Sequence, residues 1–413
     1  MKGLRKYLSP FTPDQSGAVS ALYELGGIIV IIDAGGCVGN ICGFDEPRWA
    51  SKKSAIFSAA LRDLDAILGR DELLVEKIGD ALENSSGNFV ALVGTPIPSV
   101  IGTDYRALKR LTQQRCQLPV ITVDTNGMEN YDVGAGKAFL NLFKTFADPT
   151  TGASFDVGII GAVPQDLPSP QSPAMLKRLL AGNGFPDSVC YGSEADGIAA
   201  FRNAPRAKLN WVVSPSGLAA ARYLETTCGT PFITGFPLTA EGSDRLMQRI
   251  RQYIKPEKPA VSSAAKMMPH LQPVTPDLPA GELLRTTLTG KKALIIHQQI
   301  IADELRTLLE KPTAAGQHRF AQVDTASWFI LDDELKRPND FRLIEEDDLA
   351  AAVRTNGYDT IIGDALFKRA IPDFTGTYLA LPHFAVSGSL SAPRNDTEFL
   401  QALREPAAQD GSR

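Results

Sequence analysis

The chain has 413 residues, 44% of them apolar and 22% charged, with a formal net charge of -5. That length exceeds one ordinary hydrophobic core and calls for two or three domains, in a globular rather than a disordered or fibrous protein. The acidic balance gives no general pull toward phosphate backbones, and no apolar run reaches the roughly 18 residues of a membrane span, so neither a nucleic acid nor a membrane is an expected partner.

The start, Met1-Lys2-Gly3-Leu4-Arg5-Lys6-Tyr7, is basic, but Ser9-Pro10-Phe11-Thr12 follows in place of an apolar core, which makes it a poor signal peptide. From there, short apolar runs alternate with amphipathic stretches. Strands are predicted at 27–33 (GIIVIID), 88–93, 119–124 and 156–161, then at 209–213, 292–296, 358–363 and 377–381. Helical patterns lie between them, at 47–64, 72–83, 133–146 and 217–226. Val- and Ile-rich strands alternating with helices predict an α/β fold of three Rossmann-like parallel-sheet domains around a central cleft.

The expected divisions are an N-terminal domain at 1–150, a middle domain at 151–255, a proline-rich linker at 256–280, a C-terminal domain at 281–404 and a flexible tail at 405–413. Five cysteines form an odd, sparse set unlike a disulfide framework, which points to a reducing cytoplasm.

The segment 33–49, DAGGCVGNICGFDEPRW, follows a buried strand and so lies at a carboxyl end of a sheet, where open α/β folds place their sites. Gly35, Gly36, Gly39 and Gly43 permit positive φ and close backbone approach, and freed N–H groups in such a loop point at anions such as thiolate. Cys37 and Cys42 sit inside it with four residues between them, an arrangement that loop-bound iron–sulfur clusters use. The alternative is a tight glycine turn with two incidental packing cysteines.

Gly35-Gly36-Cys37, followed by Gly43-Phe44-Asp45-Glu46-Pro47-Arg48-Trp49, resembles the cysteine loop of the nitrogenase component 1 (molybdenum–iron protein) superfamily. Gly94-Thr95-Pro96-Ile97-Pro98 with Gly102-Thr103-Asp104 resembles that family's next conserved loop. Segments 119–136, 210–231, 290–306 and 358–387 resemble its later parts in the same order. The resemblance implies three α/β domains and an iron–sulfur cluster, of 4Fe–4S type, held by Cys37 and Cys42. Gly36, Gly39, Gly43 and Thr95 would line it. It also implies an oxidoreductase subunit that receives electrons from a separate nitrogenase-reductase-like iron–sulfur ATPase.

The departures are informative. Thr95 stands where the family has a third cluster cysteine, and residues 1–36 hold no cysteine. The cofactor cysteine of dinitrogen-reducing subunits would fall near Ser214–Ser216, where none is present. Two thiolates leave a four-iron cubane incomplete, so the cluster is expected to be shared with a second chain, in a homodimer or with a sister component 1 subunit. A scaffold for metal-cofactor assembly and a cluster-free small-molecule-binding protein are the alternatives.

Among other candidates, Cys116 and Cys228 read as buried packing residues and Cys190 as an exposed loop residue. His383, after the 377–381 strand, is the one catalytic candidate, set against the simpler reading of a histidine bonded to local backbone; His297 has a lesser claim, and His270 reads as solvated. Asp45 and Glu46 are read as docking a partner or starting the next helix. The acidic run Glu345–Asp348 opens a helix. Gly134-Ala135-Gly136-Lys137 lacks the upstream glycine and following hydroxyl of a phosphate loop, so ATP binding is not expected.

Overall fold

The computed structural model describes residues 5–83, 85–150, 152–167, 172–255, 291–312, 318 and 320–388. The linker and tail expected at 256–280 and 405–413, with His270, lie outside the described residues.

Three separate sheets, all parallel, account for every strand predicted from sequence. The first contains β1 (Ile28–Ile31), β2 (Ile56–Ser58), β3 (Val90–Val93) and β4 (Val120–Val123) in the order β2-β1-β3-β4. The second contains β5 (Phe155–Ile160), β6 (Ser188–Cys190), β7 (Ala207–Val212) and β8 (Phe232–Thr234) in the order β6-β5-β7-β8. The third contains β9 (Lys292–Ile296), β10 (Gln322–Ser327), β11 (Asp340–Arg342), β12 (Thr360–Gly363) and β13 (Thr377–Ala380) in the order β11-β10-β9-β12-β13.

Each sheet therefore begins in its interior and reverses direction next to its first strand. The reversal lies between β1 and β3, between β5 and β7, and between β9 and β12. At such a point the two following loops part company and leave a crevice beyond the strand ends. One buried apolar core runs from Leu8 to Val386 through all three sheets, and a second covers the outer face of the first sheet with Leu74, Ile78 and Leu108.

The most buried helix is α1 (Asp14–Leu22), all nine residues of which are enclosed. It packs on the long helix after β4, Tyr131–Phe146, through reciprocal glycines. A Cβ at Gly17 would stand 1.8 Å from the Tyr131 carbonyl oxygen, and one at Gly134 would stand 1.8 Å from that of Asp14. The Gly134–Gly136 pattern thus serves helix packing. The N-terminal strap is held by Glu346, whose carboxylate accepts the backbone N–H groups of Tyr7 and Leu8 at 3.0 Å each. As expected, its acidic neighbours open a helix, with Glu345 and Asp348 forming a capping box.

One predicted helix is wrong. The span 47–64 is instead a 3-10 turn at Pro47–Ala50, the edge strand β2 and only then the short helix Asp63–Leu68. Its apolar residues sit on a short edge strand, where a run of three gives no period to distinguish the two structures.

The glycine contacts predict a sharp split. Gly134→Ala, which drives a methyl group into backbone, should lose about 3 kcal/mol, the upper end for overpacking. Gly39→Ala, with nothing within 4 Å of the added carbon, should change stability by less than about 0.5 kcal/mol. Urea denaturation of the two variants checks this, and equal losses would refute the packing argument.

Candidate functional site

The cysteine segment leaves β1 at the switch point of the first sheet. It is helical rather than an open loop: α2 (Gly36–Asn40) runs directly into a π-helical turn, Ile41–Asp45. Of the four glycines expected to permit positive φ, only Gly35 uses it, at 113°, to turn the chain into α2. The wider π turn is a rare piece of helix that is frequently found at functional sites.

One side of this turn is fixed firmly. Buried Asp33 accepts the Val38 N–H at 3.0 Å through one carboxylate oxygen and the Ser58 hydroxyl at 2.5 Å through the other. Ser16 of α1 donates to Asp45 at 2.7 Å, and Ser20 of α1 donates to Glu46 at 2.7 Å. Arg48 closes on both Glu46 oxygens, at 2.7 and 2.8 Å, and donates to the Ser20 carbonyl at 2.8 Å. Of the two roles expected for Asp45 and Glu46, the structure supports the local one: Glu46 also caps the following turn through the Arg48 N–H.

The other side is open. A Cβ on Gly35, Gly36, Gly39 or Gly43 would meet nothing within 4 Å. Phe44 beside them is 75% exposed, and Val100, on the helix Pro96–Ile101 that starts at Thr95, is 84% exposed.

Cys37 and Cys42 are both free and half-buried within this turn. Burial raises the Cys37 thiol above its ordinary pKa and the Asp33 carboxylate adds to this, against a hydrogen bond shared with the Thr95 hydroxyl. Burial likewise raises Cys42, against the nearby Lys53. Both thiols are therefore protonated near neutrality, and a metal must displace those protons. Thr95 is fully buried and spends its hydroxyl on the Ile32 carbonyl at 2.8 Å, which makes it a support for Cys37 and for the end of β1.

Among the described residues, no group of three His, Cys, Asp or Glu side chains converges as a metal site. Cys37 and Cys42 thus lie on a fixed turn with an uncovered glycine face, and among the described residues no third ligand joins them. The other cysteines stand apart. Cys190 ends β6, fully buried, which corrects the expectation of an exposed loop; burial and Asp196 push its thiol far up. Cys116 and Cys228 end helices and are half-buried rather than enclosed.

A second cluster occupies the place where the carboxyl ends of the second and third sheets meet the start of the Tyr131–Phe146 helix. Tyr131 donates its hydroxyl to Asp166, in the turn after β5, and lies 3.1 Å from His383 Nε2. The phenol has one proton and gives it to Asp166, so Nε2 of His383 is the donor in the second contact. Ser216, after β7, reaches the other Asp166 oxygen at 3.4 Å and lies 2.5 Å from Ser214. His383 packs at a tilt against His297, ring centroids 4.4 Å apart, and Phe329 packs edge-on at 4.7 Å.

His383 lies buried at the junction with its ring bonded to Tyr131, which corrects the simpler reading of a histidine bonded to local backbone. The expected cleft is closed by these side chains. Ser214 and Ser216 are fully buried at the positions where a cofactor cysteine was sought.

The two clusters are joined by adjacent residues. Gln165 donates to Ser20 at 2.5 Å and to the Asp45 carbonyl at 2.9 Å, while Asp166 holds Tyr131. Sequence reading missed Gln165, Asp166, Ser16 and Ser20. The available signal was a polar pair just past a fully buried strand, and hydroxyls four apart on a small-residue helix.

The family model described as nitrogenase component 1 type oxidoreductase matches residues 16–386. Among curated proteins the chain is similar to the nitrogenase iron-molybdenum cofactor biosynthesis protein NifE of Bradyrhizobium diazoefficiens, with 24% identity over 324 residues, 73% of this chain and 58% of the relative. The chain therefore spans less than two thirds of that protein's length. Among solved structures it is similar to nitrogenase Cp1 at pH 6.5, with a TM-score of 0.71 at 12% identity, covering 98% of this chain and 93% of that one. Nitrogenase Cp1 at pH 5 gives a TM-score of 0.64 at 13% identity, covering 98% and 91%. At such identities the structures testify to the fold, three parallel sheets in an α/β chain. The family rests on the match that runs from α1 to the last described helix, and by it the chain belongs to the nitrogenase component 1 type oxidoreductases.

Proposed function

We propose that this chain is an iron–sulfur oxidoreductase subunit whose Cys37 and Cys42 supply half the ligands of a cluster shared with a second chain. The observation that carries this reading is the pair of free thiols on a fixed helix–π turn with an open glycine face. The second chain is another copy or a sister component 1 subunit. Electrons come from a separate ATP-dependent iron–sulfur reductase and pass to a substrate; the cytoplasm is the compartment that keeps the thiols reduced. The three sheets serve as three domains, divided near residues 150 and 255.

Bound between chains, the cluster, of 4Fe–4S type, supplies one-electron transfer. The chain's own residues hold and orient it. Asp33 fixes α2 through Val38, Thr95 positions the Cys37 thiol, and Asp45 with Glu46 anchors the far end of the turn on α1. Gly36, Gly39 and Gly43 keep the outer backbone bare so that a partner's atoms can approach it.

A second reading, an assembly scaffold for a metal cofactor, is favoured by the similarity to a cofactor biosynthesis protein. Turnover with a reductase supports the first reading; transfer of a metal cluster to an acceptor without turnover supports the second.

Cysteine replacement tests the site. Cys37→Ala and Cys42→Ala should each abolish iron uptake and the visible sulfur-to-iron absorbance, whereas Cys116→Ala, Cys190→Ala and Cys228→Ala should keep both. Retention of full iron by the first pair defeats the assignment. Failure of the unaltered protein to take up iron, alone or with a sister subunit, leaves a cluster-free binding protein on the same fold.

Iron uptake should also depend on pH in a fixed direction. Both thiols titrate above their ordinary range, so binding releases protons and apparent affinity should rise steadily between about pH 7 and pH 9. Anaerobic titrations across that range check this, and a flat or falling profile contradicts protonated thiols at the site.

A further inference from the structure

The junction of the three sheets contains more buried acid than it has base to balance. Asp132 is 1% exposed and Asp166 3% exposed. One Asp132 oxygen accepts the Ile330 N–H at 2.5 Å, and the other has no partner. Nδ1 of His297 and Nδ1 of His383, both buried, also lack partners.

The titratable groups facing Asp132 are Tyr131 on its own helix and Asp166 from the turn after β5, with His383 after β13 and His297 after β9 behind them. Other charges on the elements packed around it are engaged elsewhere. Asp14 of α1 takes the N–H groups of Gln15, Asn126 and Gly127. Asp332, beyond Ile330, pairs with Arg222 of the helix Leu218–Cys228. Lys137 on the Tyr131 helix pairs with Asp124. Among the described residues, neither Asp132 nor Asp166 is ion-paired with a lysine or arginine.

Two carboxylates in a closed volume, with hydroxyl and N–H donors and imidazoles but no lysine or arginine paired to them, are disfavoured as two anions, since a buried charge must be paired or neutralised. The contacts made here also join the units. Asp132 holds the segment after β10, Tyr131 holds the turn after β5 and the one after β13, and Asn130 donates to the Trp328 carbonyl at 2.9 Å. They close the switch-point crevices of the second and third sheets.

We propose that the junction is a proton-operated clamp: a proton on the Asp132 carboxyl keeps the Tyr131–Phe146 helix docked between the second and third sheets, and its loss loosens that contact and opens the crevice to water. The direction follows from the chemistry. Burial raises the Asp132 carboxyl to about 7, against the N–H groups of Ile330, Val133 and Asp132 itself and with Asp166 adding to the rise. Its value in the unfolded chain is about 3.9. The docked state therefore binds the extra proton between about pH 4 and pH 7, and the stabilisation is lost as pH rises through neutrality. Burial and the neighbouring His383 hold His297 well below its usual range, so it stays neutral throughout and supplies no replacement charge.

The proposal needs no cluster and is tested on the full chain without iron. Hydrogen exchange, corrected for intrinsic rates, is followed for the segments around Tyr131 and Ile330 at about pH 6 and about pH 8, a unit either side of the Asp132 carboxyl. The unaltered protein should show about tenfold faster exchange there at the higher pH, while Asp132→Asn, which keeps the acceptor for Ile330 and cannot ionise, should be equally protected at both. Equal pH response in both proteins overturns the clamp. Infrared spectroscopy of the unaltered protein is the second measurement: a protonated carboxyl band that disappears through neutrality is expected, and its absence at the lower pH overturns the proposal even if the variant fails to fold.

Discussion

The contact between α1 and the Tyr131–Phe146 helix places both candidate sites. Helices normally stand 8–10 Å apart because side chains separate them. Here Gly17 and Gly134 remove the two methyl groups that would intervene, and each helix meets the other's backbone. From one side of that pair, the buried Ser16 and Ser20 reach out and fix the end of the cysteine turn. From its other end, Tyr131 and Asp132 project into the meeting point of the second and third sheets. A looser crossing would move the two sets of side chains apart, and no local hydrogen bond would restore them.

The middle sheet enters this arrangement through two consecutive residues. Gln165 reaches the cysteine turn and Asp166 reaches Tyr131, so a single turn after β5 touches both sites. The two residues share a tight turn, closed by the Asp166 and Leu167 N–H groups on the Val163 carbonyl, and their side chains leave it toward different partners. The cysteine turn is thereby supported by the first sheet through Asp33 and by the second through Gln165, leaving only its glycine face free.

Much of this fold was legible because fully buried parallel strands must be continuous apolar runs. Every strand expected from such a run is a strand in the structure. The strands that escaped are of two kinds. β2, β6, β8 and β11 are three-residue edge strands, too short to show a period. β10, QVDTAS, is interior but polar, and its Asp324 is satisfied by Tyr358 and Gln322 from positions that no local pattern reveals. Helix α1 was missed because it is enclosed on all sides, so its small residues show no apolar stripe against a polar one. The thiols were legible as a pair, and their helical setting was not, since four glycines in eleven residues read as a loop. Asp166 and Tyr131 were invisible as partners because only the tertiary fold brings residues 35 apart into contact.

The two sites differ in a way that separates their chemistry. At the junction the strand ends are covered, aromatic rings fill the crevice, and the polar atoms that remain are enclosed with too few partners. Such a site holds its protons tightly and responds to their removal as a unit, because buried charges repel across a short, poorly screened distance. At the cysteine turn the polar atoms on the inner side are satisfied, and the bare backbone faces outward. A surface of that kind gains nothing by folding alone and gains contacts only when another molecule covers it. The chain therefore puts its two half-buried thiols on a turn at the edge of the first sheet and keeps its acid–base groups at the centre, where the three sheets meet.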